Sequence, residues 1–576
     1  MNRYTIFKPT NHCLHAKCVG FVIFMVVLGL AAIPGIITAG TDVNNFQPVT
    51  NEMLLSAQED PDTWLMYGRD YRSWRYSELT QVNTENVKKL VPKWAFQIGT
   101  EFDKFECTPL VVNGVMIITT PYSSIYAVDA RTGKELWRYN YPLQDGLAIC
   151  CGMVNRGAAI LGDKIFWTTL DAHLLALDVK TGTVLWDRVV GDSTNAESLT
   201  VAPLVVKDEV VVGISGAEYG IRGYIDAYYA ETGEQAWRFY TVPSKDEPGG
   251  DTWAGDSWMT GGGSAWVTGS YDPELNLVYW GTGNPAPDWN GAVRRGDNLY
   301  TDCIVALDAD TGELKWYFQA TPHDVWDWDG VSEPVLIDMD IDGKPTKALM
   351  QANRNGYFYV LDRTNGKFLY ASPYCEMNWS AGLDENGRPT VKPGVFTTEE
   401  GTIRVCPGVE GGKNWPPSAY NPLTNYLYVP SLELCGSYHQ GRVFYVKGLP
   451  YLGSGMTAEK DDGGDMIMWG HISAIDVSTG EIKWRHKTNF PQWGGCLTTA
   501  GGLVFAGDLE GRFMALSAET GEVLWDFQTG SGVLAPPITY KLDGVQYIAI
   551  ASGAVKYAEV NAREGGTLFV FALFDE

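Results

Sequence analysis

The sequence has few positive charges and lacks several motifs that define common functional classes. Its 576 residues include 43 Lys or Arg against 69 Asp or Glu, so the formal net charge is −26 at pH 7. Such acidity argues against nucleic acid or an anionic membrane surface as a partner, because both are polyanions. No Cys-x-x-Cys-His motif occurs, which excludes a covalently attached haem c. The seven histidines show no metal-ligand spacing.

A long apolar run is found at the N-terminus. Val19–Ala32 follows three basic residues, and small residues occupy positions 38–40. This order is typical of a secretory signal peptide. We therefore expect residues 1–40 to direct export to the periplasm, with an uncleaved anchor helix as the alternative. Residues 41–576 are expected to form a single exported domain.

Glycine and tryptophan are abundant, with 64 and 21 residues, and they recur in an eleven-residue pattern. The pattern begins with Ala, an apolar residue and Asp, continues after two variable residues with Thr-Gly, and ends on Trp. The exact and variant copies are Ala127–Trp137, Ala176–Trp186, Ala227–Trp237, Ala306–Trp316, Val360–Tyr370, Ala474–Trp484 and Ala515–Trp525.

The pattern predicts a repeated turn between two strands. Asp-x-x-Thr-Gly forms a tight turn in which Gly takes a positive φ, and the Trp can pack between neighbouring sheets and donate its indole N–H to a turn carbonyl. The shortest spacings, 41 to 54 residues, match one four-stranded blade. We predict an all-β, eight-bladed β-propeller with four antiparallel strands per blade. Tyr420–Val429, inside a gap of 114 residues, is interpreted as a degenerate eighth copy.

Two adjacent cysteines, Cys150 and Cys151, interrupt the repeat. Neighbouring Cα atoms lie about 3.8 Å apart, below the usual disulfide range of about 4.4–6.8 Å. A bridge between them would form a strained eight-membered ring with one flat face, and the alternative is two buried thiols. Arg156 follows five residues later and places a cation near the pair.

The repeat and the segment from Cys150 to Arg156 resemble the quinoprotein alcohol dehydrogenases, which use pyrroloquinoline quinone (PQQ). The repeat resembles their tryptophan-docking motif, and the resemblance covers nearly the whole exported chain. It implies that the Cys150–Cys151 disulfide lies on one face of the quinone and Trp266 on the other. It also implies that Arg156 and Arg354 are the cations of the pocket, which suits a cofactor with three carboxylates.

Further residues match cofactor contacts or a second disulfide of that family. The implied cofactor contacts are Glu106, Thr200, Ser215, Gly216, Ala217, Ser264, Asn414 and Trp493. The implied second disulfide joins Cys406 and Cys435.

The resemblance also implies a metal site formed by oxygen ligands, which hard cations prefer. The matching ligands are Glu218, Asn284, Asp327 and Asp329. The presence of Asp at position 329 resembles the lanthanide-dependent branch of the family, because the calcium-dependent relatives have a small residue at this position. If the segment is extended, residues two apart face the same side, so both aspartates can bind one ion. Three carboxylates suit a trivalent ion, so one lanthanide ion is expected, with calcium as the alternative.

The activity implied by the resemblance is oxidation of a small primary alcohol to an aldehyde. Asp327 matches the catalytic base, and a soluble cytochrome c is the implied electron acceptor. The alternatives are a calcium enzyme, a quinoprotein for polyols, sugars or aldehydes, and a non-enzymatic propeller scaffold. Ala551–Ala572 departs from methanol-specific relatives, which leaves methanol, ethanol and longer alcohols open. The oligomeric state is open as well, a homodimer included.

Overall fold

The computed structural model describes residues 41–99, 103–341, 343–554 and 563–574, which are built almost entirely from β-strands. The predicted signal at residues 1–40 lies outside the described residues. In the described part, α1 (Asn51–Leu55) is the one α-helix, and no helix is long and apolar enough to cross a membrane. The 3₁₀ helices are Val43–Asn45, Ala57–Glu59, Val87–Lys89, Ser193–Asn195, Ala217–Tyr219, Gly250–Thr252, Ser257–Thr260 and Gly291–Val293.

The strands are short and follow one another through tight turns. In chain order they are β1 (Tyr76–Ser77), β2 (Leu90–Gln97), β3 (Leu110–Val112), β4 (Val115–Thr120), β5 (Ser124–Asp129), β6 (Glu135–Asn140), β7 (Ala159–Leu161), β8 (Lys164–Thr168), β9 (His173–Asp178), β10 (Val184–Val189), β11 (Leu204–Val206), β12 (Glu209–Gly213), β13 (Tyr224–Tyr229), β14 (Gln235–Tyr240), β15 (Ser270–Asp272), β16 (Leu277–Gly281), β17 (Cys303–Asp308), β18 (Leu314–Gln319), β19 (Val335–Ile341), β20 (Lys344–Ala352), β21 (Tyr357–Asp362), β22 (Lys367–Pro373), β23 (Ser380–Leu383), β24 (Pro389–Val391), β25 (Ile403–Val405), β26 (Ala419–Asn421), β27 (Tyr426–Leu434), β28 (Gly436–Gln440), β29 (Ser454–Ala458), β30 (Met468–Asp476), β31 (Ile482–Thr488), β32 (Leu497–Thr499), β33 (Leu503–Gly507), β34 (Arg512–Ser517), β35 (Val523–Gln528), β36 (Ile538–Leu542), β37 (Val545–Ser552) and β38 (Thr567–Leu573).

Most strands belong to antiparallel sheets of four strands. Sheet 1 contains β3 to β6, sheet 2 β7 to β10, sheet 3 β11 to β14, sheet 4 β15 to β18, sheet 5 β19 to β22, sheet 6 β26, β27, β30 and β31, sheet 7 β32 to β35 with β1 at its edge, and sheet 8 β36 to β38 with β2. Two smaller sheets, β23 with β24 and β25 with β28 and β29, lie within the long interval before the last strands of sheet 6.

Burial changes from the first to the fourth strand of a sheet. All residues of β4 are buried, whereas β6 mixes exposed, half-buried and buried positions. The sequences of the inner strands are therefore continuous apolar runs, because neighbouring sheets cover both faces of these strands. The fourth strand lies at the outer edge and reaches solvent.

The aromatic residues of the repeat connect each sheet to the next, and we call them the docking residues. Five of them donate the indole N–H to a carbonyl of the following sheet. These bonds run from Trp137 to Val179 (2.8 Å), Trp186 to Ala230 (3.2 Å), Trp237 to Ala309 (3.2 Å), Trp316 to Arg363 (3.1 Å) and Trp484 to Ala518 (3.2 Å). The Tyr370 hydroxyl bonds the Val477 carbonyl in the same way. The predicted docking is thus confirmed, and this succession of packed antiparallel sheets is a β-propeller.

The interpretation of Tyr420–Val429 as an eighth copy of the repeat is wrong. This segment spans β26 and β27, the first two strands of sheet 6, whereas every other copy joins a third to a fourth strand. The place of the eighth copy is taken in sheet 8, where β2 pairs with β38 and Trp94 lies opposite Val570. Trp94 covers Gly133 of sheet 1, as the other docking residues cover the glycine of their neighbour. No contiguous pattern exists because the two strands come from opposite ends of the chain.

Candidate functional site

One cavity of about 340 Å³ is lined by residues from most of the sheets. Its lining residues lie either in segments that lead into a first strand or in loops that follow a second strand. Arg156 precedes β7 and Thr200 precedes β11, whereas Glu218 follows β12 and Arg354 follows β20. In an antiparallel sheet the start of one strand and the end of the next lie at the same edge, so these segments converge.

The structure brings most of the predicted site residues together at this cavity. Those that line it are Glu106, Cys150, Cys151, Arg156, Thr200, Ser215, Gly216, Glu218, Ser264, Trp266, Asp327, Asp329, Arg354, Asn414 and Trp493. Ala217 and Asn284 are buried beside them and contact lining residues: the backbone N–H of Ala217 donates to Ser264 Oγ (2.8 Å), and that of Asn284 donates to Asp329 Oδ1 (2.9 Å).

Both predicted cysteine pairs are joined in the structure. Cys150 and Cys151 form a disulfide between neighbours, and Cys151 is exposed to the cavity. Cys406 and Cys435 form the second bridge, which confirms that pairing. Cys107, Cys303, Cys375 and Cys496 are free thiols. The loop closed by the second bridge contains Asn414, so the disulfide restrains one side of the cavity wall.

Arg156 is the cation at one end of the cavity. Its Nη2 lies 2.8 Å from Glu106 Oε2 and its Nη1 donates to Thr200 Oγ1 at 2.8 Å. The guanidinium carbon lies 4.8 Å from the ring centres of both Trp266 and Trp415, within the range of a cation–π contact. The arginine is thus held in place, while its buried Nε has no hydrogen-bond partner among the described residues.

Arg354, the second buried arginine of the cavity, lies among the aspartates that the resemblance assigns to the metal site. It forms an ion pair with Asp329 and donates to the backbone carbonyls of Asp327 (2.8 Å) and Val409 (2.6 Å). Its buried Nε also has no partner within the described part of the chain. Arg354 therefore links the loop that carries the two aspartates to the loop that carries Val409.

The loop with Asp327 and Asp329 is not extended, so the condition under which residues two apart would face the same side is not met. Both aspartates adopt left-handed backbone conformations, with φ of 65° and 48°. The carboxylate of Asp324 accepts hydrogen bonds from the backbone N–H groups of Trp326 and Trp328, each at 2.7 Å, and fixes this shape.

The two tryptophans of this loop explain why both aspartates still line the cavity. Trp326 and Trp328 are fully buried and stacked, with ring centres 4.6 Å apart. Because these rings are held in the core, the alternate residues Asp327 and Asp329 lie on the cavity side.

Mutual repulsion and burial dominate the electrostatics at the acidic end. Burial, with the charge of Asp329 nearby, raises the pKa of Glu218 to about 7. Burial and the neighbouring carboxylates of Asp288, Asp329 and Glu218 raise the pKa of Asp327 well above its ordinary value. The carboxylates of Glu218, Asp327 and Asp329 are not gathered within 4.8 Å of one another. Asp329 instead pairs with Arg354.

Three lining residues with polar or aromatic side chains were not among the sequence predictions. Lys104 donates its Nζ to the carbonyl of Cys151 at 2.8 Å. Glu410 accepts a hydrogen bond from Asn414 Nδ2 at 3.0 Å, and Trp415 stacks on Arg156. Glu410 and Trp415 are close to Asn414 in the chain, which was the available signal. Lys104 likewise lies two residues before Glu106, which was the corresponding signal.

The donor set fits a planar, anionic cofactor together with a hard cation. Indole rings and a disulfide provide flat apolar surfaces, and two buried arginines provide charge-assisted donors for carboxylates. Glu218, Asn284, Asp327 and Asp329 provide only oxygen ligands, as a hard cation requires. A bound cation would also offset the repulsion that raises the acid pKa values.

Comparison with known proteins agrees with a site for a planar anionic cofactor and a cation. Residues 64–390 and 467–548 match the family described as glucose/ethanol/alcohol dehydrogenase, beta-propeller domain (PQQ). The chain is 44% identical to quinoprotein alcohol dehydrogenase PedH of Pseudomonas putida over 559 residues, which cover 91% of this chain and 93% of PedH. It is 39% identical to the lanthanide-dependent methanol dehydrogenase of Methylacidiphilum fumariolicum over 531 residues, which cover 87% of this chain and 86% of that enzyme.

A solved structure of a dehydrogenase is similar to this chain over most of its length. A europium-containing methanol dehydrogenase superposes with a TM-score of 0.87 at 37% identity, covering 91% of this chain and 100% of that one. These similarities agree with the family predicted from the motifs and disfavour a non-enzymatic scaffold.

Proposed function

Because this chain belongs to the family of PQQ-dependent alcohol dehydrogenases, we propose that it oxidises primary alcohols to aldehydes in the periplasm with PQQ and one lanthanide ion. The observation that carries the proposal is one cavity whose lining combines Cys150, Cys151, Trp266, two arginines and the acids Glu218, Asp327 and Asp329. This combination would have no use in a purely structural protein.

Asp327 is the proposed base of the reaction. When bound, PQQ supplies the acceptor for the hydride of the alcohol carbon and the cation supplies Lewis acidity. Asp327 receives the hydroxyl proton, and its position among other acids makes its carboxylate a good proton acceptor. Arg354 holds the Asp327 backbone in place, so the carboxylate stays oriented. The apolar lining residues Val154, Val409 and Leu534 keep water away from the alkyl chain.

The choice of a trivalent ion rests on the negative charge of the cavity and on the similar enzymes. Glu218, Asp327 and Asp329 line the cavity, and Asn284 is bonded to Asp329. Three carboxylates beside one arginine, Arg354, leave a surplus of negative charge in a buried site, and the attraction of this surplus for a cation grows with the charge of the ion. The similarity to a lanthanide-dependent and a europium-containing enzyme supports the same choice.

The test is reconstitution of the metal-free protein with PQQ and either LaCl₃ or CaCl₂. Rates of dye reduction are measured with methanol, ethanol, longer primary alcohols, a polyol and an aldehyde. We expect turnover with lanthanum and primary alcohols. Turnover with calcium alone would refute the lanthanide assignment, and a preference for the polyol or aldehyde would refute the substrate class.

We further propose a soluble cytochrome c as the electron acceptor. With a net charge of −26, the enzyme should attract a cytochrome that has a basic surface around its haem. Exposed charges are screened beyond a Debye length of about 8 Å at physiological salt. The second-order rate of cytochrome reduction should therefore fall as ionic strength rises, while the rate with a neutral dye stays constant. An unchanged cytochrome rate would contradict electrostatic docking.

Sheets 1 to 8 are proposed to be the eight blades of the propeller. The docking contacts that run from sheet 1 to sheet 7, together with the Trp94–Gly133 contact between sheets 8 and 1, support this count. A hydrogen bond from the Tyr540 hydroxyl of sheet 8 to the Ala130 carbonyl (2.7 Å) supports it too. A crystal structure with a different number of blades would refute it.

A further inference from the structure

Glu333 and Lys413 form a buried ion pair behind the wall of the cavity. The Lys413 Nζ lies 2.9 Å from Glu333 Oε2, and the two side chains are 0% (Lys413) and 4% (Glu333) exposed. Neither residue is among those that line the cavity, and the sequence motifs assign a role to neither. A buried ion pair often stabilises a fold no more than an apolar pair of the same size, because both charges lose their hydration. Stability alone therefore does not explain why two charges are buried here.

The Glu333 carboxylate holds both ends of one short segment of the cavity wall. Residues 413–418 have the sequence Lys-Asn-Trp-Pro-Pro-Ser, and we call them the Asn414 segment. At the start of the segment Lys413 donates to Glu333 Oε2 at 2.9 Å, and at its end the Ser418 backbone N–H donates to Glu333 Oε1 at 2.7 Å. The two prolines between these ends have a restricted φ and no backbone N–H. One carboxylate therefore fixes both ends of a segment that has little backbone freedom of its own.

Two residues of the Asn414 segment belong to the cofactor cavity. Asn414 and Trp415 both line it. The Lys413 ammonium donates to the Asn414 carbonyl at 3.1 Å, and Asn414 Oδ1 accepts the Trp415 backbone N–H at 2.8 Å. The Trp415 ring centre lies 4.8 Å from the guanidinium carbon of Arg156. The ion pair thus holds the backbone that carries two residues of the cavity wall, one of which stacks on the buried cation.

Glu333 itself is held in place by the sheet that follows it. It lies four residues after Asp329 and two before β19, the first strand of sheet 5. The residues just before it are fixed by Gln351, whose Nε2 donates to the carbonyls of Gly330 (3.0 Å) and Ser332 (2.6 Å). The Asn414 segment leads into β26, the first strand of sheet 6. The ion pair therefore joins the parts of the wall that two neighbouring sheets contribute.

We propose that Glu333 and Lys413 are positioning residues for the cofactor, which hold Asn414 and Trp415 in the orientation that PQQ binding requires. The inference rests on the proposed function, because it takes PQQ to be the molecule that the cavity binds. A binding group that is fixed before the ligand arrives costs less conformational entropy on binding. Loss of the ion pair should therefore weaken PQQ binding through these two wall residues, even where the fold is kept.

Asp272 and Arg363 offer a matched control pair. The Arg363 Nε lies 2.7 Å from Asp272 Oδ2, and the two side chains are 7% (Arg363) and 4% (Asp272) exposed. Arg363 also donates to backbone carbonyls, but these belong to Ile337 (2.6 Å) and Ala348 (3.2 Å) of sheet 5, and none of the four residues lines the cavity. Removal of both charges of this pair therefore reports on the loss of a buried ion pair in general.

The experiment compares the full chain, freed of PQQ, as wild type, Glu333→Gln/Lys413→Met and Asp272→Asn/Arg363→Met. PQQ affinity is measured by quenching of the protein fluorescence, with LaCl₃ and again with CaCl₂ present, and thermal unfolding is recorded without PQQ. Glu333→Gln/Lys413→Met leaves neither charge unpaired and keeps an oxygen for the Ser418 N–H, so its unfolding temperature should stay close to that of wild type. It should bind PQQ roughly 10–100-fold more weakly, as is typical when a residue that orients a ligand-binding group is lost. The control pair should keep the PQQ affinity of wild type.

A single variant separates positioning from stability. Glu333→Gln alone leaves the Lys413 ammonium unpaired but still bonded to the Asn414 carbonyl. It should therefore be less stable than Glu333→Gln/Lys413→Met and yet bind PQQ more tightly. PQQ affinity that simply followed stability across the variants would overturn the positioning role.

The remaining outcomes distinguish this inference from the proposed function. Unchanged PQQ affinity in Glu333→Gln/Lys413→Met, or an equal loss in the control pair, would overturn the role of the ion pair alone. Absence of PQQ binding in wild type with either metal would overturn the proposed function and this inference with it. Glu333→Gln/Lys413→Leu repeats the comparison if the methionine is not tolerated.

Discussion

Most docking residues between the sheets have their buried polar groups hydrogen-bonded, Trp94 being an exception, whereas several residues of the cavity wall have buried polar groups without a partner among the described residues. Trp137, Trp186 and Trp316 each donate the indole N–H to a carbonyl of the next sheet, so the buried donor is satisfied. In the cavity wall, Arg156 and Arg354 have buried Nε atoms without partners among the described residues. Two acids beside them, Glu218 and Asp327, have raised pKa values.

This difference separates the residues that stabilise the protein from those that prepare it for chemistry. Satisfied polar groups and close packing lower the energy of the folded chain, whereas unsatisfied charges raise it until a ligand binds. None of the docking residues in the described sheets lines the cavity. Substitutions in the two regions should therefore change different measured quantities, stability in one and turnover or metal affinity in the other.

The largest effect is expected from Asp327→Ala. Loss of a general base typically costs about 10²–10⁴-fold in rate, and here a metal ligand is lost as well. We expect kcat with PQQ and lanthanum to fall by at least that range, measured by dye reduction, while the unfolding temperature without metal does not decrease. Asp338→Ala, which removes a carboxylate that is 71% exposed on β19, serves as control and should keep wild-type kcat. A near-normal kcat for Asp327→Ala would refute its role as base.

Trp316→Ala should give the converse result. Trp316 is 8% exposed, and removal of a buried Trp side chain costs about 3–5 kcal/mol of unfolding free energy. The free energy is measured by denaturant unfolding, and kcat is measured at a temperature where the variant is folded. Trp316→Phe keeps an aromatic ring at this position but loses the hydrogen bond to Arg363 and part of the indole contact with Gly366, so its cost should be smaller than that of Trp316→Ala. A large fall in kcat with unchanged stability would contradict the separation of the two regions.

The docking residues and the site residues also differ in how they could be predicted from the sequence. Docking residues recur at fixed positions in a repeat, so seven copies could be recognised before the structure. The eighth was missed because Trp94 and Val570 pair across the two ends of the chain and share no contiguous pattern. Sequence periodicity cannot reveal this pair, because the two strands lie at opposite ends of the chain and meet only when the propeller closes.

Site residues were predicted from motif resemblance, and most of them line the cavity. The backbone of the loop was not predictable. Positive φ at Asp327 and Asp329 follows from the contacts of Asp324 and from the burial of two tryptophans, which are tertiary interactions.

An intermediate effect is expected from Asp329→Ala, which changes both a proposed metal ligand and the partner of Arg354. Loss of such a residue should weaken La³⁺ binding roughly 10–100-fold and suppress lanthanum-dependent turnover accordingly. Asp272→Ala is the matched control, because Asp272 also pairs with a buried arginine, Arg363, at 2.7 Å but lies outside the cavity. The control should lose stability and keep its La³⁺ affinity. Equal La³⁺ affinity in Asp329→Ala and wild type, measured by calorimetry, would remove Asp329 from the metal site.

The smallest effect concerns the contact between a repeat glycine and a docking residue. Gly312 has φ of 68°, and a methyl group added there would lie 2.4 Å from the Trp237 ring. Gly544, in the turn between β36 and β37, has φ of 81° and no atom within 4 Å of that position. Replacement by Ala costs about 1–2 kcal/mol of left-handed backbone strain at either site. At Gly312 the displaced indole should add about 1 kcal/mol, as mild overpacking does. The difference between Gly312→Ala and Gly544→Ala in unfolding free energy measures the docking contact alone, and equal values would show that the turn, and not the tryptophan, requires glycine.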